Sequence, residues 1–318
     1  MKKILKIIFV VILCLFILSL LKDQVIKYVV SAVTTGVTGT KTQIGSFSFG
    51  ILRHSVRIRD FKIHNPKGFS NAVLIDLGII NVDYDLSSII KGKLHLRRLD
   101  IDLKELCLEK DKEGKLNVDS LKIIEQQKET QDKKSKPVKQ VPMQIDLLNL
   151  QLGRIISKDY SIGKEPSVKV YDIYTSKSYK NITSANQLAA LIISEPMRQA
   201  GIKGAKIYGI STLAGVGMLP ITIAATFAGK DSAQRDFNLS VANLYEVSLA
   251  VLKRTGKVNK ENKATGVIEA NVNGASITVK LKEKTANVTQ ATVSARKLML
   301  PKPEIASGIL YRISEELK

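Results

Sequence analysis

Cysteine is all but absent from this chain. It occurs only as Cys14 and Cys107, the first inside an apolar N-terminal run and the second far outside it, so no internal disulfide is expected. Histidine is nearly as scarce. His54, His64 and His95 are the full set, and their spacing resembles no metal-ligand pattern, so no metal is expected. No Ser-His-Asp order argues for nucleophilic catalysis. The glycines between Gly204 and Gly217 lack a preceding strand and a Lys-Ser/Thr end, so they form no phosphate cradle. Asp100 and Asp102 stand two apart. On a strand they share a polar face, without the second element that acid–base chemistry requires. The expectation is a protein that is not an enzyme and carries no cofactor. Acidic side chains are the minority too, with 29 Asp and Glu against 49 Lys and Arg and a net charge of +20.

Apolar residues make up 44% of the 318, which suits a globular rather than a disordered chain of about two domains. The basic excess suits nucleic acid or anionic lipid headgroups. The N-terminus decides between them. Met1-Lys2-Lys3 precedes an apolar run from Ile4 to Leu21 that only Lys6 interrupts. That run is just long enough to span a bilayer. No small-x-small cleavage site follows Leu21, and Cys14 lacks the small residues that precede a lipoprotein cysteine. The expectation is an uncleaved single-pass anchor, with Lys2, Lys3 and Lys6 holding the N-terminus in the cytoplasm. The bulk of the chain then lies outside the inner membrane, where lipid is the expected partner and nucleic acid is not.

Behind the anchor a short pattern appears three times. Val56-x-Ile58-x-x-Phe61-x-Ile63 recurs as Leu94-x-Leu96-x-x-Leu99-x-Ile101 and as Ile145-x-Leu147-x-x-Leu150-x-Leu152. Each copy is two apolar pairs at strand spacing with a one-residue slip between them. Strict alternation would turn the second pair to the opposite face. A bulge at the slip would keep all four side chains together. Repetition of this kind suggests stacked strands with one continuous apolar face. That face is either a closed core or an open groove.

The remaining signals are local. Asn65-Pro66-Lys67-Gly68 is a turn. Residues 125–142 are polar, charged and contain two prolines, the pattern of a flexible insertion. Thr183-Ser184-Ala185 suits a cap for a helix reaching about Gln199. Ile207 to Gly229 carries no charge but contains Gly209, Gly215, Gly217 and Pro220. It suits a small-residue helical hairpin at a membrane surface, with a second span as the alternative. Leu244, Val247, Val251 and Leu252 mark a helix ending near Gly256. Asn273-Gly274 between alternating apolar runs is a hairpin signal. Pro303 opens a last helix with Ile305, Ile309, Ile313 and Leu317 on one face.

Several of these residues resemble the N-terminal region of the AsmA family, bacterial relatives of the bridge-like lipid-transfer proteins. They are Ile63-x-Asn65-Pro66-x-Gly68-Phe69, Val82-Asp83 with Leu86-Ser87-Ser88, Gly92, Leu99-x-Ile101-Asp102, and Glu109 with Gly114, Asn117 and Leu121. The resemblance covers roughly residues 1–175. It lacks the proline that the family often places soon after the Ile-Asp pair. The last part looks like a small domain of unknown function from Gram-negative envelope lipoproteins. Gly229-Lys230, Tyr245-Glu246, Gly256-Lys257-Val258, Gly266-x-Ile268-x-Ala270 and Thr289-x-x-Thr292-Val293 carry that likeness.

Together these readings predict an α+β chain: an N-terminal transmembrane helix, an antiparallel sheet, a small-residue helical hairpin and a C-terminal helix–meander–helix module. The expected divisions are 1–35 for the anchor and following helix, 36–175 for the sheet, 176–229 for a helical connector and 230–318 for the module. The resemblance implies a curved, groove-like sheet facing the periplasm that binds phospholipid acyl chains and serves lipid transport or outer-membrane assembly. The twelve repeat residues are the candidate groove lining. The alternative is an envelope scaffold whose C-terminal module binds a protein partner.

Overall fold

The computed structural model describes residues 27–28, 30–32, 34–36, 38–50, 53–122, 143–163, 165–202 and 232–318. The expected anchor, the insertion at 125–142 and the uncharged segment from Ile207 to Gly229 lie outside these residues. Among the described residues no helix is long and apolar enough to cross a membrane. The fold is α+β and mostly strand, with two six-stranded sheets.

The first sheet is curved but not closed. Its strands are β1 (Thr42–Gly50), β2 (Ser55–His64), β3 (Val73–Tyr84), β4 (Leu94–Lys110), β5 (Met143–Asp159) and β6 (Ser167–Ile182), in that spatial order. The expected all-antiparallel sheet is corrected at one step. β4 and β5 run parallel, with Leu94 opposite Met143 and Lys110 opposite Asp159. The other four pairings are antiparallel. A parallel step needs a crossover too long for a hairpin. Here it starts with the 3-10 turn Asn117–Ser120 and ends where β5 begins at Met143.

Helix α1 (Leu86–Ile90) joins β3 to β4. Asp85 caps it: its carboxylate accepts from the Ser88 amide at 2.8 Å and from Arg97 at 2.8 Å. Helix α2 (Ala185–Gln199) follows β6 and starts where the capping signal places it. Ser184 Oγ accepts from the Gln187 amide, and Gln187 Oε1 accepts from the Thr183 amide. This reciprocal pair satisfies donors that a helix start leaves open. Leu191, Ile193 and Met197 of α2 enter the core of the first sheet.

The second sheet holds β7 (Ser232–Phe237), β8 (Lys257–Asn262), β9 (Val267–Val272), β10 (Ala275–Thr285), β11 (Val288–Lys297) and β12 (Leu300–Pro301). Their order is β12-β11-β10-β9-β8, with β7 also on β11. Helices α3 (Val241–Thr255) and α4 (Pro303–Glu316) pack on it. Alternation in β9 to β11 sends Ile268, Ala270, Ile277, Val279, Ala291 and Val293 into one core. Asn273 and Gly274 both take positive φ, as a two-residue hairpin loop requires.

Helix α4 touches both sheets. Ile309, Leu310 and Ile313 fill the second core, while Tyr311 packs on Cys107, Ile156 and Val170 of the first sheet. Burial pushes the Cys107 thiol up to about 12, so it is a small apolar filler rather than a nucleophile. A Cβ at Gly308 would lie 2.1 Å from the Val168 carbonyl oxygen. Arg312 completes the contact with an ion pair to Glu165 at 2.7 Å.

Candidate functional site: an apolar strip across the first sheet

The slip in the repeats resolves as one-faced. In β2, Ile58, Phe61 and Ile63 are buried and Val56 packs beside them. Asp60 takes φ +52 at the slip and turns the second pair back to the same face. The same spacing falls between Ile44 and Phe47 in β1 and Leu77 and Ile80 in β3, and as a second slip, beyond the one in the repeat copy, between Leu103 and Leu106 in β4 and between Leu152 and Ile155 in β5. Six of these eight side chains are buried in one core, and Phe47 and Ile80 pack against it.

The slip positions line up across the strands, through Asp60, Gly78, Lys104 and Gly153 to Tyr174 in β6, which also has positive φ. Glycine has a steric reason at two of them. A Cβ at Gly153 would lie 2.3 Å from the Lys104 carbonyl oxygen. A Cβ at Gly78 would lie 2.4 Å from Lys104 Cε, so its absence lets the lysine pass over β3 to Asp60 at 3.2 Å. On the polar side the line opens as a cleft of about 740 Å³ that includes Lys104, Glu105, Arg154 and Tyr174. Two ion pairs cross it: Arg154 pairs with Glu105 at 2.7 Å and Lys104 with Asp60 at 3.2 Å.

On the apolar side, two rungs cross five strands. Phe47 stands opposite Ile58, which faces Ile80, then Ile101, then Leu150. Phe49 stands opposite Val56, then Val82, Leu99 and Leu148. Four strand spacings make each rung roughly 19 Å long. Burial is graded along them. Leu148, Leu150 and Ile145 are fully buried in the half of the sheet where α2 packs. Phe47, Phe49, Val56, Ile80 and Val82 are only half-buried. Leu86 of α1 continues this half-buried end. Phe49 also stacks on Tyr84, with centroids 5.6 Å apart.

Nine of the twelve repeat residues are buried: Ile58, Phe61, Ile63, Leu96, Leu99, Ile101, Ile145, Leu150 and Leu152. Val56 is half-buried and Leu94 is 38% exposed. Leu147 stands between Arg98 and Lys180 in the ladder and outside the apolar core. Pairing with β4 shows why. Leu96, Leu99 and Ile101 face Ile145, Leu148 and Leu150, so the third copy in register is Met143-x-Ile145-x-x-Leu148-x-Leu150. Phe47, Phe49, Ile80 and Val82 escaped the sequence search. They sit in Ile44-x-x-Phe47-x-Phe49 and Ile75-x-Leu77-x-x-Ile80-x-Val82, the same spacing in two further strands.

Three of the residues that carry the AsmA-like likeness, Asn65, Glu109 and Asn117, meet at one end of the sheet, whereas Val82, Leu99 and Ile101 lie on the rungs. Asn117 Nδ2 donates to Asn65 Oδ1 at 2.8 Å and to the Cys107 carbonyl at 2.9 Å. Buried Glu109 accepts from the Ser70 amide at 3.1 Å and from Ser70 Oγ. They tie the β2–β3 loop to the end of β4 and leave the strip untouched. His54 leans on Tyr84, and His95 shares a hydrogen bond of 2.8 Å with Asp146. Asp100 accepts from Asn149 at 2.7 Å and from Arg98, a strand-surface network. No protein-family model matches the chain, and no curated protein matches it.

Proposed function

We propose that the chain binds phospholipid acyl chains on the half-buried rungs of β1 to β3 and is a non-enzymatic lipid carrier of the bacterial envelope. The graded burial carries this reading. The two rungs are sealed over β4 and β5, whereas Phe47, Phe49, Val56, Ile80 and Val82 of β1 to β3 are left half-covered around the buried Ile58, and the rungs are about as long as an extended acyl chain. Burying a whole apolar face is the normal fate of a sheet in water. A half-covered stretch with two phenylalanines in it offers an apolar ligand a surface to cover. In this reading the N-terminal apolar run anchors the chain in the inner membrane, the sheet stands in the periplasm, and lipid passes toward the outer membrane.

The test is native mass spectrometry with lipid extraction on the full chain, purified in mild detergent. Stoichiometric phospholipid is expected. Val82→Glu should release it while the protein still unfolds cooperatively. A lipid-free wild type overturns the proposal. So does a Val82→Glu variant that loses lipid only because it no longer folds.

A further inference from the structure

The two most exposed large apolar side chains among the described residues, Leu298 and Met299, are in the other half of the molecule, with Leu300 beside them. Leu298 is 89% exposed, Met299 90% and Leu300 62%. Leu298 and Met299 form the two-residue loop between β11 and β12, where Lys297 pairs with Leu300. Both take positive φ, +50 and +65. That geometry belongs to a hairpin turn whose central residues are ordinarily Asn and Gly, because side chains with a Cβ are strained there. The neighbouring hairpin supplies the control. β9 and β10 join through a loop of the same length, and there the residues are Asn273 and Gly274. The two loops are held side by side, with Lys297 Nζ donating to the Asn273 carbonyl at 3.2 Å. One hairpin therefore uses the relaxed pair, while its neighbour accepts strain to hold leucine and methionine out in water.

The flanks are basic. Arg296 and Lys297 precede the tip and Lys302 follows it, and no acidic residue intervenes before Glu304. Ile162, itself 52% exposed, lines the same cleft as Lys297 and Lys302. A stable protein partner needs roughly 800 Å² of matched surface on each side. A narrow tip with charged flanks does not offer that. Apolar side chains backed by lysine and arginine match a different surface, the boundary between acyl chains and anionic headgroups.

We propose that the Leu298-Met299-Leu300 tip inserts into an anionic phospholipid surface, with Arg296, Lys297 and Lys302 against its headgroups. This docking is independent of the acyl-chain strip on the first sheet. It gives the C-terminal module its own contact with a membrane.

The test uses the full chain in proteoliposomes, with Cys14→Ser and Leu300→Cys labelled by an environment-sensitive fluorophore. Cys107 is buried and stays unlabelled. Vesicles contain phosphatidylglycerol or only phosphatidylcholine. Quencher lipid is placed either in the host membrane or in added vesicles. A blue-shifted, quenchable signal is expected with anionic lipid in one of these two placements, and it should fall as salt rises. Leu298→Asn/Met299→Gly should return the emission to its value in water. That variant should also melt at a higher temperature than its parent, since it relieves the turn, so loss of docking cannot be ascribed to misfolding. Emission unchanged in both placements overturns the proposal. So does an equal response to neutral and anionic vesicles.

Discussion

Leu150 and Val56 share the apolar face of one sheet but differ in what surrounds them, and truncating each to alanine measures that difference. Leu150 is fully buried between Ile101 and its β6 neighbours. Leu150→Ala leaves a cavity in a packed core and should cost about 3–5 kcal/mol. Val56 is half-buried. Val56→Ala removes two methyl-sized groups, worth about 1.6 kcal/mol if fully buried. With half that surface already in water, and no closed cavity left behind, the loss should be about 0.8 kcal/mol. Urea unfolding of each variant, at unchanged m-value, reads the difference as a shift in midpoint. Added phospholipid should then stabilise wild type and Leu150→Ala alike, because a ligand that binds only the folded state adds to its stability. It should stabilise Val56→Ala less. A Val56→Ala cost at or above the fully buried value of about 1.6 kcal/mol would mean that the strip is sealed core, and the lipid reading would fall with it.

Other outcomes follow from the same geometry. Gly153→Ala places a Cβ against the Lys104 carbonyl at the slip line, so it should destabilise the sheet by about 2–4 kcal/mol, measured as a lowered urea midpoint. Glu195 lies buried in α2. Burial alone would raise its pKa, but hydrogen bonds from Arg198 and Gln199 prevail and hold it below the ordinary value of 4.5. The stability it contributes is therefore present above pH 4.5 and is lost as pH falls through the lower folded value. Glu195→Gln should flatten that acid limb in thermal melts between neutral and acid pH. Arg312→Ala should loosen α4 from the first sheet by breaking its 2.7 Å pair with Glu165, which limited proteolysis near residue 302 reads as faster cleavage.

Much of this fold was legible in the sequence, for local reasons. Asn273-Gly274, the Ser184 cap and Pro303 each specify their own backbone geometry, and each structural element begins or turns where they stand. The two-pair apolar spacing marked β2 and β4 directly. It failed in β5 because apolar residues occupy 143, 145, 147, 148, 150 and 152. Two registers fit that run equally well, and only the ladder with β4 selects Met143 as the start. The parallel step was hidden for a similar reason: strand direction is set by the long crossover and not by the strands. The slip line was invisible because Gly78, Lys104 and Gly153 become neighbours only after pairing. The candidate strip was half legible. Its buried members repeat visibly, but the degree of cover over Phe47, Phe49 and Val82 is a property of the packed molecule.

The central claim is that lipid lies on the half-buried rungs, and a photo-crosslinker tests it most directly. Val82 is on the apolar face, and Ile79, three residues earlier on the same strand, is 40% exposed and outside that core. A photoreactive side chain at each position, irradiated in the full chain with phospholipid vesicles, should give a phospholipid adduct at 82 and none at 79. Adducts at neither position, or equally at both, would contradict the account.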